Sequence, residues 1–428
     1  MKTTIRKKAR AFFGFVGNSD TCSILVAGCI LLFVTGCATF NPQTQEKTIF
    51  GTRAETKSEG NIRVTAAVLS EDETKTYFDL DLYDKGIQPI WLEIENQNEN
   101  RVWFPLVSVD PDYFSPLEVA YINFATFAKK RNRQMAEFMY DQGIYGIIAP
   151  GTTNSGFVFT NLNLGTKFFN VDVVGENHQV WTFTFSISVP GLRVSHQDVD
   201  WENLYTQDQI VSSHNDEGLR AAVENLPYWT KNRDGTKEGA PINIIIVSRG
   251  KDLHHVLLRR GWDETASVNP DRASEGPIPP RYASVSPLYL YGRPQDAAFR
   301  KSREGLDGRG HLRLWLSPIR YEEKLVWVGH INRDIKVRYL PDTYRLEPLV
   351  DEARTYLLQD LWYSQRLKKF GYVKGVVPKS ISDPYEDLVG DPYFTDGFCA
   401  VLWIGEKPLS FDEVEAVRWE RPSWLPDN

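Results

Sequence analysis

Alternation of apolar and polar residues is the strongest constraint on what the first half of this chain can fold into. The pattern repeats every two residues in five short runs, which are 76–83, 90–95, 156–160, 168–174 and 181–189. Such a period places one face of a strand in the core and the other in water. Turn sequences rich in glycine, proline and asparagine separate the runs. We therefore predict a β-sandwich over residues 61–190, immunoglobulin-like in the broad sense.

One helix is expected to interrupt these strands. Ser115 and Glu118 have the spacing of a capping box, and Pro116 occupies the first helical position between them. We predict a helix from there to about residue 140. Its basic stretch at 129–133 either contacts lipid head groups or forms a solvated helix face.

The second half of the chain has a mixed pattern of strands and helices. We predict strands at 242–247, 287–291, 311–316, 324–329 and 398–404, one helix from 248 to 261, and a long helix from 351 to about 371. This β-α-β-β-β-α-β order indicates a ferredoxin-like α+β skeleton with one extra strand. The expected fold class is thus α+β multidomain. Residues 191–225 form a connector with a short helix at 216–223, and residues 226–428 form the second domain.

The first 37 residues combine a basic start with an apolar run at 24–34, and Thr35, Gly36 and Cys37 follow. This pattern resembles the signal peptide of a bacterial lipoprotein. Small residues after such a run form a secretory cleavage site. The resemblance implies removal of residues 1–36, attachment of palmitate-type acyl chains to Cys37, and a flexible tether over 37–60. The alternative is an uncleaved N-terminal helix, although the run is shorter than the roughly 20 apolar residues that span a bilayer.

A protein anchored in this way would belong to the cell envelope. Two or three acyl chains hold durably, whereas one chain holds only marginally. Ala38 stands where enteric-type sorting uses aspartate to retain lipoproteins on the inner membrane. We therefore expect an outer-membrane location facing the periplasm. The bilayer would be one partner, and an envelope protein is a further candidate partner.

Charge and cysteine content narrow the range of functions. The first 36 residues hold five basic residues and one acidic residue, so the remainder carries a net charge of −11 against −7 for the whole chain. An acidic body is poorly suited to bind nucleic acid.

Cys399 is the one cysteine beyond Cys37, so no internal disulfide can form once Cys37 is lipidated. We expect Cys399, which lies in an apolar run, to be a buried hydrophobic residue and not a nucleophile.

The main candidate site is a row of side chains on one predicted strand. Alternation places His311, Arg313 and Trp315 on one face, with leucines on the other. Arginine offers a planar donor fork and tryptophan a stacking surface, which suit an anion or a sugar. The predicted ligand-binding residues are Arg293, His311, Arg313, Trp315 and Trp327, with His330 beside them. The same face could instead pack beneath the long helix. A catalytic role for His311 and Arg313 would require a base or carboxylate within hydrogen-bond reach.

No sequence pattern indicates a metal ion or a cofactor. His254 and His255 are adjacent on a predicted helix, so their side chains point about 100° apart and cannot share an ion. Asp391 and Asp396 lie in a turn-rich loop without a nearby histidine or third carboxylate, which is typical of ordinary turn chemistry. Phosphate-binding loops and the serine hydrolase motif do not occur in the sequence. We therefore expect neither metal nor cofactor.

Seven short sequence words follow one another through the second half of the chain. They lie at 225–227, 241–247, 261–262, 286–299, 311–315, 326–329 and 351–352, and the most specific is SPLYLYGRPQDAAF at 286–299. Through these words residues 226–404 resemble the LssY C-terminal domain. The resemblance implies a domain appended to membrane-associated proteins, in some cases beside a lipid-phosphatase-like module, and implies no particular reaction. This chain departs from the pattern at Gly310, where members often have a second histidine, and at 345–349, where many have a histidine and two aspartates.

Two functions from different classes remain open. The preferred one is a non-catalytic binding or assembly module on a lipid anchor, because no nucleophile constellation is present. The alternative is an envelope hydrolase that acts on a phosphate- or glycan-bearing ligand through His311, Arg313 and Arg293. A deep cleft that gathers these residues beside Asp391 or Asp396 would indicate the enzyme, and a flat aromatic surface the binding module.

Overall fold

The computed structural model describes residues 40–43, 50–176, 179–269, 278–303, 306–337 and 343–422. The predicted signal peptide, Cys37 and much of the predicted tether lie outside these residues. Within the described ranges, no helix combines the length and the apolar character that crossing a membrane requires. The fold is mostly β, with several sheets and a smaller share of helix.

Helices are few and short in the described residues. They are α1 (Glu71–Phe78), α2 (Pro116–Ile122), α3 (Lys129–Gln142), α4 (Asp216–Glu224), α5 (Gly250–Arg259) and α6 (Asp351–Tyr363). The prediction of a strand at residues 76–83 is wrong, because α1 occupies residues 76–78 and no strand forms over 79–83. Ser70 and Glu73 form a complete capping box that starts α1, and Asp79 ends it with a left-handed φ of 52°.

The helix predicted from residue 116 to about 140 is two helices. The break lies between α2 and α3, where Phe127 has a φ of 65°. The Asn132 side chain stabilises the turn, since its amide donates to the Ala125 carbonyl at 2.9 Å and its oxygen accepts from the Ala125 N–H at 3.0 Å. A side chain from the first turn of α3 therefore fixes the chain reversal that precedes it.

Two antiparallel sheets form the first half of the protein. Their strands are β1 (Glu55–Glu59), β2 (Ile62–Val68), β3 (Ile87–Asn96), β4 (Val102–Trp103), β5 (Ile147–Ile148), β6 (Thr152–Asn161), β7 (Thr166–Val174) and β8 (Val180–Ser188). The sheet orders are β1-β2-β3-β6 and β5-β4-β7-β8. Both sheets contribute alternate side chains to one core, for example Val64 and Leu92 from the first and Val171 and Phe185 from the second. Four of the five predicted strands are confirmed as β3, β6, β7 and β8.

A large mixed sheet forms the second half. Its strands and those of two smaller sheets are β9 (Val211–Ser213), β10 (Trp229–Lys231), β11 (Glu238–Pro241), β12 (Ile244–Ser248), β13 (Asp263–Glu264), β14 (Tyr289–Leu290), β15 (Arg293–Pro294), β16 (Ala297–Arg303), β17 (Leu306–Tyr321), β18 (Lys324–Val337), β19 (Thr343–Leu346), β20 (Leu367–Lys374), β21 (Tyr385–Glu386), β22 (Pro392–Tyr393), β23 (Phe398–Ile404) and β24 (Glu415–Ala416). The main path is β13-β16-β17-β18-β12-β23-β20-β24, with β9 on β17 and β19 on β18. Strands β11-β10-β14-β15 and β21-β22 form the smaller sheets.

The centre of the large sheet is buried on both faces. Helices α5 and α6 cover one face through residues such as Leu257 and Leu361. Helix α4 packs on the other face through Leu219 and Val223, beside Trp315. Strands β12 and β23 run parallel between these layers, which explains their continuous apolar sequences.

The long helix and the connector differ from expectation. Helix α6 ends at Tyr363 instead of near residue 371, because Gln365 turns the chain with a φ of 61° and β20 follows. Three strands therefore lie between α6 and β23 that the expected order lacked, namely β20 of the large sheet and the pair β21–β22. The connector contains β9 besides the helix predicted at 216–223, which is confirmed as α4.

Candidate functional site

A polar cleft of about 320 Å³ lies beside the β17–β18 hairpin. The histidine and charged side chains that line it are Arg300, His311, Arg313, His330, Asp334, Arg345, Asp387 and Asp391. Strand register brings the inner ones together, since Arg300 pairs with His311 and Arg313 pairs with His330 across neighbouring strands. Paired residues share a face of the sheet, so these four side chains point the same way.

The structure confirms that the three predicted side chains on β17 share one face of the strand. His311, Arg313 and Trp315 lie on one face, while Leu312 and Leu314 enter the core under the helices. Two members of the row line the cleft. Trp315 lies deeper, is fully buried, and donates from its indole N–H to the Arg293 carbonyl at 3.3 Å. It therefore serves the apolar core and not the cleft.

Trp327 does not share the face of His311, and that expectation is wrong. Trp327 pairs with Leu316 across the hairpin and packs in the core beneath α5 and α6. It lies an odd number of residues from His330, so alternation places the two on opposite faces. His330 is on the cleft side, where its Nδ1 donates to the Pro241 carbonyl at 2.8 Å. A carbonyl only accepts, so the proton is on Nδ1.

Arg293 also lies outside the cleft. Its guanidinium binds Asp296 with two hydrogen bonds of 2.8 and 2.9 Å and donates to the Leu316 carbonyl at 2.9 Å and to the Tyr205 hydroxyl at 3.0 Å. Burial opposes its charge, but the Asp296 carboxylate outweighs burial and raises the pKa of Arg293. Arg293 thus braces the turn before β16 through a structural ion pair.

His311 and Asp334 form a pair inside the cleft. The two atoms that face each other are His311 Nε2 and Asp334 Oδ2, at 2.8 Å. Burial lowers the pKa of His311, against the effect of Asp334, so the ring is neutral at pH 7. The carboxylate accepts, which puts the proton on Nε2 and a lone pair on Nδ1. Among the described residues, this buried Nδ1 has no hydrogen-bond partner.

Two buried guanidinium groups at the inner end of the cleft have no carboxylate hydrogen-bond partner among the described residues. The Arg313 Nε donates to the Ser286 carbonyl at 3.1 Å, and the Arg300 Nη1 donates to the Pro280 carbonyl at 2.6 Å. In the described part of the chain, Arg300 Nε has no partner. Burial lowers the pKa of Arg313 to about 10, and the charge of Arg300 adds to this effect while Asp334 opposes it. The inner cleft thus holds two cationic side chains near one carboxylate, an arrangement that an anion would stabilise.

The two aspartates of the turn-rich loop are separated. Asp391 lines the cleft and forms an ion pair with Arg345. Asp396 faces a different cavity of about 850 Å³ and binds Arg354 with two hydrogen bonds of 2.8 and 2.7 Å. The cleft therefore contains His311, Arg313 and Asp391 but neither Arg293 nor Asp396. The cleft thus gathers only some of the residues that the hydrolase alternative requires.

Two remaining sequence candidates have clear locations. Cys399 is fully buried, and burial raises the pKa of its thiol, so the prediction of a buried hydrophobic residue is confirmed. His254 lies near His196 and Glu264, a grouping that the sequence did not predict. These partners come from separate elements 58 and 10 positions away, so no local spacing points to them.

The second half has an α+β architecture in which a mixed sheet lies between helical layers and an arginine-lined polar cleft lies on one side. A family model described as the LssY C-terminus matches residues 221–398. This match agrees with the resemblance to the LssY C-terminal domain that the sequence indicated over residues 226–404. The match includes every charged residue of the cleft and ends where β23 begins. No curated relative matches the chain.

Proposed function

We propose that this protein is a lipid-anchored envelope protein whose LssY C-terminus region binds an anionic ligand in the cleft. The observation that supports the proposal is the pair of buried guanidinium groups, Arg300 and Arg313, whose protein hydrogen bonds go to neutral oxygens. A buried cation without a carboxylate partner is costly, and an incoming phosphate or carboxylate would offset that cost.

Phosphate suits this site better than a neutral sugar does. Arginine binds phosphate oxygens through paired N–H groups, and such charge-assisted hydrogen bonds are the strong ones. The cleft is smaller than most sites for drug-sized ligands, so a single phosphate-bearing group fits its volume. The ligand class is therefore a phosphate-bearing molecule, with a phosphorylated glycan or a lipid head group as possible sources.

Titration of the full chain with inorganic phosphate and with a phosphomonoester, followed by calorimetry, tests this proposal. Arg313→Gln should weaken binding about tenfold or more, because one charge-assisted contact is lost. Arg249→Gln is the matched control, since this arginine is exposed and lies outside the cleft. Equal affinity for the wild type and Arg313→Gln would contradict the proposal.

A second candidate function is hydrolysis of the bound phosphate or glycan ester. The specific observation in its favour is the His311–Asp334 pair, because a neutral imidazole with a free Nδ1 could take a proton from an attacking water. His311→Ala should then abolish turnover of a phosphodiester or glycoside while phosphate binding remains. A screen that detects no His311-dependent turnover leaves the non-catalytic binding module, which is our first choice.

The envelope location rests on the sequence of the first 37 residues. Acyl labelling in a bacterial host should mark the wild type and fail for Cys37→Ser, which would also leave the membrane fraction. Density separation of the two membranes should place the labelled protein in the outer one. An unprocessed and unlabelled wild type would contradict the anchor without affecting the binding proposal.

We also infer finer fold relationships for the two halves. Two antiparallel sheets around one core support an immunoglobulin-like sandwich in the broad sense. Two helices on one face of a largely antiparallel sheet support a ferredoxin-like skeleton for the second half.

A further inference from the structure

Three side chains of the kinds that bind metal ions lie close together outside the cleft. They are His196 from the short 3-10 helix Ser195–Asp198, His254 from α5 and Glu264 from β13. One atom of each lies within 4.8 Å of the others. His196 Nδ1 is 2.8 Å from Glu264 Oε1, and His254 Nε2 is 3.6 Å from the same oxygen.

This cluster leaves buried polar atoms unsatisfied. Glu264 and His254 are buried, with 3% and 7% of their surfaces exposed. Within the described ranges, His254 Nε2 has no hydrogen-bond partner, and Glu264 Oε2 has none of good geometry, although the Thr166 hydroxyl is near enough to lower the pKa of Glu264. Native proteins rarely leave such atoms unpaired, because each one loses its hydration without compensation.

The tautomer of His254 makes the cluster more unusual. Its Nδ1 lies 3.3 Å from the Gly250 carbonyl, which can only accept, so the proton is on Nδ1. Nε2 then presents a lone pair to the Glu264 carboxylate. Two acceptors in this position repel each other unless a cation lies between them. Metal-bound histidines are commonly held in this manner, with the second ring nitrogen donating to a backbone carbonyl.

We propose that His196, His254 and Glu264 bind a divalent transition-metal ion, with zinc as the best fit. Two imidazoles and one carboxylate are a known donor set for zinc. Bonds of about 2.0–2.2 Å in tetrahedral geometry hold ligand atoms about 3.3 Å apart, and the observed 2.8 and 3.6 Å lie on either side of that value. His196 is partly exposed, which gives the ion a path and leaves a fourth position towards solvent.

The surroundings of the cluster give the ion a structural role. His254 stacks on Phe168 of β7 at 5.5 Å and meets Phe299 of β16 edge-on at 5.3 Å. Such an aromatic shell excludes water and strengthens the bonds to the ion. His196 belongs to the connector and the other two ligands to the second half, so the ion would hold the connector to the second half. Phe168 of the first half packs against this site through His254.

Metal titration of the full chain, produced without a histidine tag and purified in detergent, tests the site. After treatment with a chelator, Co²⁺ should give the visible absorption of a tetrahedral nitrogen–oxygen site, and Zn²⁺ should displace it. Saturating Zn²⁺ should raise the melting temperature by roughly 5–10 °C, because the ion binds only the folded state.

Variants separate this site from other sources of metal binding. His196→Ala should weaken Co²⁺ binding about 100-fold or more and abolish the zinc-dependent shift in melting temperature. It is the first choice because His196 is the most exposed of the three ligands, and Glu264→Gln is the second. His214→Ala is the matched control, since His214 is exposed and lies elsewhere. An unchanged Co²⁺ spectrum in His196→Ala, or no spectrum in the wild type, would overturn the proposal.

Discussion

Arg354 of α6 is a buried arginine that binds two carboxylates in the second half of the protein. Its side chain is 1% exposed and binds Asp396 at 2.7 Å, with Asp351 at 3.2 Å. Arg354→Met would keep most of the volume but leave two carboxylates without their cation. Removing one partner of a buried ion pair costs about 3 kcal/mol or more. We therefore expect a loss of about 3 kcal/mol in the free energy of unfolding, measured by denaturant titration.

The control for this prediction is an arginine that differs mainly in exposure. Arg249 pairs with Glu406 at 3.1 Å, but its side chain is 60% exposed. Exposed pairs contribute about 0–1 kcal/mol, so Arg249→Met should change stability by less than about 1 kcal/mol. Equal effects of the two substitutions would show that burial does not set the contribution of Arg354.

At the scale of elements, Gly329 allows three strands to approach closely. It lies in β18 opposite Leu314 of β17 and Ile244 of β12. An added Cβ would lie 2.8 Å from the Arg313 carbonyl oxygen and 2.7 Å from a Leu314 methyl group. The backbone cannot yield cheaply there, so we expect Gly329→Ala to destabilise the protein by about 1–3 kcal/mol.

The matched glycine is Gly51, which has nothing within 4 Å of an added Cβ and no left-handed φ. Gly51→Ala should therefore have an effect close to zero in the same denaturant titration. If Gly329→Ala were as stable as Gly51→Ala, the strands would be able to separate without cost. The arginine row of the cleft would then be less firmly positioned than the register indicates.

Elements with two different faces could be predicted from the sequence, and elements fixed by local hydrogen bonds could not. Alternation identified β7 and β8 because one face of each meets the shared core. In residues 76–83 the apolar positions alternate as well, yet the Ser70–Glu73 capping box commits the chain to α1. A cap outside the alternating run therefore decided the structure within it.

The candidate sites follow the same distinction. His311 and Arg313 could be placed on one face because a single strand holds both. Trp327 was misplaced because it was grouped with His330, although the two lie an odd number of residues apart on one strand. Only the register between β17 and β18 shows that His330 is the one beside Arg313. The partners of His254 come from the connector and from β13, so only the tertiary fold brings them together.

At the scale of the whole molecule, the junction between the two halves is polar as well as aromatic. Tyr282 and Arg281 both donate to the Leu162 carbonyl, at 3.3 and 2.9 Å. Lys167 is buried close by and donates to the carbonyl oxygen of Asn161 and the side-chain oxygen of Asn163, both neutral. The junction thus holds a lysine without a carboxylate hydrogen-bond partner in the described residues.

This lysine makes stability depend on pH in the alkaline range. Burial lowers the pKa of Lys167 to about 7, and Arg281 adds to this effect while Asp110 opposes it. The unfolded lysine keeps its proton up to about pH 10.5, so between these values the unfolded chain holds one proton more than the folded one. The free energy of unfolding therefore rises with pH, by about 2 kcal/mol from pH 7 to pH 9.

Denaturant titrations at pH 7, 8 and 9 should show this rise in the wild type and in Lys85→Met, which removes an exposed lysine of the same half. Lys167→Met should lack the rise, and an equal rise in all three proteins would mean that Lys167 stays charged in the folded junction.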